Sequence, residues 1–240
     1  MHQIRKMEDD LFRRWKAHIN ADDQTFFVQD GALDPEAYQN SSLKICSVLK
    51  ETPIDNTADP KGYHFGEGVE RKIIAKGTNY YLTDSKTALN VLAKRILIIR
   101  KITNVSNEIN LLTSLLESAY VNIKKHNGAK KSKESDLKRV AKSGKDFLVE
   151  HFDSILKPDI LLCGKTFHYI RQIYGGENFI FLMQDEQNKV KLFHQIENGI
   201  PKRLVIEMYH PMHQSSEKEL LRKLESLIQL YMSSDNCIFK

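Results

Sequence analysis

Several large protein classes are marked by features that this 240-residue sequence lacks. Its three cysteines, Cys46, Cys163 and Cys237, stand far apart with no Cys-x-x-Cys spacing, which argues against both a zinc site and a disulfide framework. No run approaches the roughly 18 apolar residues of a membrane helix, and the opening Met1-His-Gln-Ile-Arg-Lys-Met-Glu-Asp-Asp10 has no apolar signal-peptide core. The expectation is a soluble, cytoplasmic protein with no membrane association. A glycine-rich phosphate loop of Walker or dinucleotide type is also missing, which disfavours a nucleotide-handling hydrolase. Neither internal repeats nor low-complexity segments occur outside one lysine-rich stretch.

With 41% hydrophobic and 28% charged residues, the chain can bury a sizeable core, and a single α/β domain over residues 1–240 is expected. The net charge of +5 is modest, but its distribution is uneven. Between Lys124 and Lys145 lie Lys125, Lys130, Lys131, Lys133, Lys138, Arg139 and Lys142, with few acids. Such a stretch suits a polyanion, because each neutralised phosphate releases condensed counterions; it equally suits a solvated helix face.

Ile4, Met7, Leu11, Trp15 and Ile19 recur at helical spacing and predict an amphipathic opening helix within an N-terminal extension over residues 1–40. Phe26–Gly31 reads as a short extended piece closed by an Asp-Gly turn. Leu43–Leu49 is an apolar run of the kind that forms a buried parallel strand, and it ends abruptly in Lys50-Glu-Thr-Pro-Ile-Asp55. A polar, glycine-bearing loop over Gly62–Gly68 precedes helices marked by Leu89, Leu92, Ile96 and Ile99 and then by Leu112 and Leu116. Further strands are expected at Ala119–Lys125, Asp159–Cys163 and Arg203–Met208. A long helix is expected from about Lys133 to Leu156 and a shorter one at about Thr166–Ile173. Phe179–Met183 and Val190–Phe193 predict a β-hairpin inserted over residues 177–195. Ser216 with Glu219 forms a capping box for a last helix whose buried stripe is Leu220, Leu224, Leu227, Ile228 and Tyr231. This alternation predicts a three-layer α/β sandwich: a central, mostly parallel four-stranded sheet, helices on both faces and a small hairpin insertion.

Three polar loops follow three of the strands: Lys50–Asp55, Asn122–Gly128 and His210–Ser216. Their residues resemble the motifs of the uracil-DNA glycosylase superfamily in the same order. Glu51-Thr-Pro53 is similar to its Glu-x-Pro core, and Tyr120-Val-Asn122-Ile-Lys-Lys125 to its Tyr-Ile-Thr-Asn-Val-Val-Lys type of base-recognition strand. Pro158–Gly164 resembles the structural strand ending in glycine, and His210-Pro211 the His-Pro-Ser motif. The resemblance spans roughly Leu43 to Leu230. The sequence departs from the pattern in three ways. Lys50 and Ile54 stand where the first motif usually has glycine, Met212 replaces the serine of His-Pro-Ser, and the four cysteines of the iron-sulfur branches are absent. These departures point to a divergent branch whose preferred base need not be uracil.

The resemblance implies hydrolysis of the N-glycosidic bond of a base flipped out of DNA, with neither metal nor other cofactor. Asn122 would read the pyrimidine edge, having both an amide donor and an acceptor, and Tyr63 or Phe65 would stack on the base. Glu51 or Asp55 would stabilise the sugar cation or position water, and His210 would hydrogen-bond the oxygen of the departing base. Met212 would be a wedge in the base stack, within a loop that includes His213. Ser215, Ser216, Lys124 and Lys125 would contact the DNA backbone. The expected enzyme is a base-excising hydrolase acting on uracil or on a modified cytosine, such as phage DNA carries, and hence an anti-phage role. A catalytically inert nucleic-acid-binding module is the alternative. The oligomeric state is left open. Taken singly, Glu51 can be a helix cap, Asn122 a turn residue and His210 a solvated histidine; only their joint placement at strand ends favours a site.

Overall fold

The computed structural model describes residues 3–19, 27–50, 63–64, 88–104, 110–125, 133–211 and 216–239. The opening helix α1 (Gln3–His18) buries Ile4, Leu11, Phe12 and Trp15. Met7, which the apolar spacing assigned to the core, is exposed, and its neighbour Glu8 is fully buried instead. The reason is local: a Glu8 carboxylate oxygen accepts from Ala32 N at 3.0 Å and lies 3.2 Å from His151 Nε2. After β1 (Val28–Gln29) and β2 (Gly31–Ala32), helix α2 (Pro35–Asn40) starts at Asp34, whose side chain accepts from the amides of Glu36 and Ala37.

The remaining elements are β3 (Ile45–Leu49), β4 (Tyr63–His64), α3 (Ala88–Ile102), α4 (Leu111–Leu116), β5 (Ser118–Asn122), α5 (Glu134–Ser143) and α6 (Lys145–Glu150). They are followed by β6 (Ile160–Gly164), α7 (Phe167–Tyr174), β7 (Phe179–Gln184), β8 (Val190–Glu197), β9 (Ile200–Met208) and α8 (Glu217–Ser233). The long helix expected from Lys133 to Leu156 is broken at Gly144 and ends in a π-helical turn, His151–Leu156. A Cβ on Gly144 would lie 2.7 Å from Trp15 Cζ2, so the break lets α1 pack its tryptophan against the helix backbone.

The chain is α/β, and its sheet is mixed and seven-stranded, in the order β2-β5-β3-β6-β9-β8-β7. This corrects the four-stranded expectation. The four strands read from the sequence form the parallel centre, β5-β3-β6-β9. The hairpin β7–β8 is no appendage, because β8 pairs antiparallel with β9 along its whole length, while β2 adds antiparallel to β5 on the other side. Beyond the strand register, Ile123 N and Lys124 N donate to Leu49 O and Lys50 O, so the pairing of β3 and β5 continues into their loops.

Alternate strand residues feed two cores. Cys46, Val48, Val121, Leu161, Cys163 and Val205 pack with α1 and the α5–α7 helices, whereas Ile45, Leu49, Tyr120, Ile160, Leu162 and Ile206 pack with α3 and α8. Helices therefore cover both faces. On α8 the buried residues are Leu220, Leu224, Leu227, Ile228 and Tyr231, the stripe expected from their spacing, and Ser216 Oγ accepts from Glu219 N. No helix among the described residues is long and apolar enough to cross a membrane.

Candidate active site at the carboxyl edge of the sheet

Because β5, β3, β6 and β9 are parallel, their carboxyl ends share one edge. From β3 the chain goes to β5 on one side and then crosses to β6 on the other, so β3 and β6 flank a topological switch point, where open α/β sheets form a crevice. Gly164 stands at its centre. A Cβ there would lie 3.2 Å from Leu49 Cδ2, 3.4 Å from Pro211 Cδ and 3.5 Å from His210 Cα, so the end of β6 admits the ends of β3 and β9 closely on either side. Thr166 Oγ1 donates to Val48 O at 2.7 Å and fastens the following turn to β3.

Asn122 closes β5 level with Leu49 and is almost fully buried. Asp30 holds it twice: Asn122 N and Nδ2 donate to Asp30 Oδ2 at 2.7 and 3.0 Å. The other Asp30 oxygen takes an ion pair from Lys125, whose ammonium also lies 5.4 and 5.1 Å from the ring centroids of Phe12 and Trp15. Burial pulls the Lys125 ammonium below the ordinary lysine range, while the Asp30 carboxylate pulls the other way. Lys125, expected on a DNA-contacting surface, is thus an interior residue. Lys124 is mostly covered as well, with Nζ 2.8 Å from Asp136 Oδ2, and that bond holds the Asp136 carboxyl below the usual range.

Tyr63 belongs to β4, which pairs in parallel with β1 through Val28↔Tyr63, and Val28 N donates to Lys125 O at 2.6 Å. The backbone of Tyr63 is thereby linked through β1 to the end of β5. Glu51, Asp55, Phe65, Met212, His213 and Ser215 lie outside the described residues. Lys50, the residue before Glu51, is at this edge, and its carbonyl accepts from Lys124.

His210 and Pro211 follow β9, with His210 partly exposed and Pro211 buried. An arginine that the sequence reading missed anchors this turn. Arg95, on α3 and only 1% exposed, donates from Nη1 to Tyr209 O at 2.7 Å and from Nε and Nη2 to the two Glu217 oxygens at 3.0 and 2.8 Å. It ties the residue before His210 to the first residue of α8, beside Ser216. Lys165, at φ +60°, donates its amide to Met208 O and sets its ammonium 4.4 Å from the Tyr209 ring centroid. The signal for Arg95 was its place among apolar residues in Leu92-Ala-Lys-Arg-Ile96; that for Asp30 was hidden in an ordinary Asp-Gly turn.

Cys46 and Cys163 are buried in β3 and β6, where burial pushes both thiols well above the ordinary range and leaves them no nucleophilic character. Among the described residues, no group of three or more His, Cys, Asp or Glu side chains is arranged to hold a metal ion. No family model, curated protein or solved structure matches the chain.

Proposed function

We propose that this protein is a DNA glycosylase that hydrolyses the N-glycosidic bond of a flipped-out uracil or modified pyrimidine. The observation that carries the reading is that Leu49-Lys50, Asn122 and His210-Pro211 stand at one edge of the sheet, with Leu49, His210 and Pro211 close about Gly164. Asn122 and Met208 end strands three positions apart in the sheet, a backbone separation of roughly 14 Å at the usual strand spacing, which a pyrimidine and two flanking side chains fill.

In this reading Asn122, held by Asp30, reads the base edge, and His210 donates to the base oxygen on which negative charge develops as the bond breaks. Either Glu51 or Asp55 stabilises the sugar cation or orients the attacking water. Tyr63 stacks on the base, with Phe65 as its competitor for that role. Met212 and His213 enter the base stack, and Ser215 and Ser216 meet the backbone at the start of α8. A modified cytosine in phage DNA is a substrate consistent with the departures in the first motif, and gives the protein a defence role. The inert-module alternative leans on the lysine-rich stretch, and draws less support because Lys124 and Lys125, at its start, are taken up by Asp136 and Asp30.

The test is incubation with duplex and single-stranded oligonucleotides containing uracil, other deaminated bases or hypermodified cytosines, followed by alkaline cleavage of abasic sites. Asn122→Ala, His210→Ala and at least one of Glu51→Ala and Asp55→Ala are expected to lower the excision rate by orders of magnitude. If none of the four changes a measurable activity, the site is misassigned. Salt-sensitive DNA binding without excision of any base supports the inert module.

A further inference from the structure

The lysines expected to hold a nucleic-acid backbone, Lys124 and Lys125, are engaged inside the molecule by Asp136 and Asp30. A different set of cations is better placed. Beside the switch point, Lys50 at the end of β3, Glu134 and Lys138 on α5, and His168 and Gln172 on α7 line a cleft of about 470 Å³. Two ammonium groups, Lys50 and Lys138, and one carboxylate, Glu134, belong to that lining, an excess of one positive charge. Lys165, outside the lining, acts on His168 in the same direction as the other two lysines. Burial holds the His168 imidazole below its ordinary range and the three lysines act in the same direction, which leaves a neutral ring able to donate one hydrogen bond.

We infer that this cleft binds a backbone phosphate of the nucleic-acid strand whose base enters the neighbouring edge, with Lys50 and Lys138 as its principal cations and Lys165 between the cleft and His210. The inference rests on the glycosylase reading of that edge. Three features favour a phosphate. The Lys138–Glu134 pair, at 2.8 Å, joins side chains 55% and 67% exposed; such pairs contribute little, so Lys138 can turn to an anion at small cost. Lys50 immediately precedes Glu51, so an anion held there sits one residue from the first motif. Lys165 spans the gap to the third loop through its contact with Tyr209. The cleft is thus a positive recess that meets the sheet edge at Lys50, where a passing strand brings its phosphates.

The test separates this inference from the glycosylase reading by using unmodified DNA, which supports no turnover. Binding of fluorescein-labelled duplex is followed by anisotropy at several salt concentrations for the wild type, Lys50→Ala, Lys138→Ala and, as a control, Lys202→Ala. Lys202 is near the amino end of β9, away from this edge. Loss of one phosphate contact lowers the slope of log K against log salt by about 0.9, which is about eightfold in affinity at 0.1 M salt. That loss is expected for Lys50→Ala and Lys138→Ala and not for Lys202→Ala. Unchanged slopes in both cleft variants, or an equal change in the control, overturn the inference, as does the absence of DNA binding by the wild type. Inorganic phosphate is titrated separately while the His168 ring proton resonances are followed. Saturation by phosphate alone as tightly as by DNA marks a free-phosphate site and overturns the assignment to nucleic acid. Reduced slopes in a protein that excises no base leave the phosphate cleft standing and remove the glycosylase reading.

Discussion

Replacing Lys125 by methionine separates the charge of a buried lysine from its bulk. Lys125 is 1% exposed and its partner Asp30 equally hidden, with the ammonium set against the rings of Phe12 and Trp15. Methionine keeps most of the side chain's apolar bulk and removes the ammonium, leaving the Asp30 carboxylate buried with the two bonds from Asn122. Removing one member of a buried ion pair costs about 3–5 kcal/mol, a large share of the roughly 5–15 kcal/mol that holds a typical domain together. The expected result is a Lys125→Met protein about 3–5 kcal/mol less stable than wild type. Urea unfolding, followed by circular dichroism and by the fluorescence of Trp15, the single tryptophan, measures it. Adding Asp30→Asn removes the stranded charge and keeps an oxygen for the Asn122 amide, so the double variant recovers to within about 1.5 kcal/mol of wild type. A Lys125→Met cost below about 1 kcal/mol, or a double variant no better than the single one, refutes the claim that a buried ion pair, and not packing, governs this corner.

Two further outcomes follow from neighbouring features. His151 is driven down to about 3 by burial, with Lys125 acting in the same direction, so the unfolded chain binds a proton between about pH 6.5 and 3 that the folded chain does not. Stability is therefore complete above pH 6.5 and falls as pH drops, by about 2 kcal/mol at pH 5 from this group, and a His151→Gln variant unfolded at pH 7 and pH 5 lacks that increment. Arg95→Gln removes the anchor between Tyr209 O and Glu217; unfolding is expected to cost about 3 kcal/mol less, with the excision rate falling more than substrate affinity because the displaced residue is His210. An unchanged rate in a folded Arg95→Gln protein separates the anchor from the site.

The parallel centre of the sheet was legible because each of its strands is an apolar run ending in a polar loop, a pattern that burial on both faces imposes. The α8 stripe was legible for the same kind of reason, a 3.6-residue period undisturbed by tertiary demands. The antiparallel additions were not. Strand pairing at an edge is made by backbone groups, and no side-chain period tells whether Val190–Phe193 stands apart or joins β9. Nor does periodicity tell a solvated glutamate from one like Glu8, enclosed because Ala32 N and His151 need its oxygen. The break at Gly144 is set by a tryptophan more than a hundred residues earlier. At the candidate site, Asn122 and His210 could be proposed from motif and strand end, whereas Asp30 and Arg95 act through contacts between residues 92 and 122 positions apart.

The central place of β3 has a consequence for how the chain acquires its structure. β3 is the first of the four parallel strands to leave the ribosome, yet both its neighbours are supplied later, by residues 118–122 on one side and 160–164 on the other. Until then a five-residue strand without a charged side chain has both ladders open. Parallel pairing must also meet the loop-closure entropy of these long connections before any hydrogen bond forms. Of the four parallel strands, β3 therefore waits longest for its second partner, a window in which a chaperone has the most to protect.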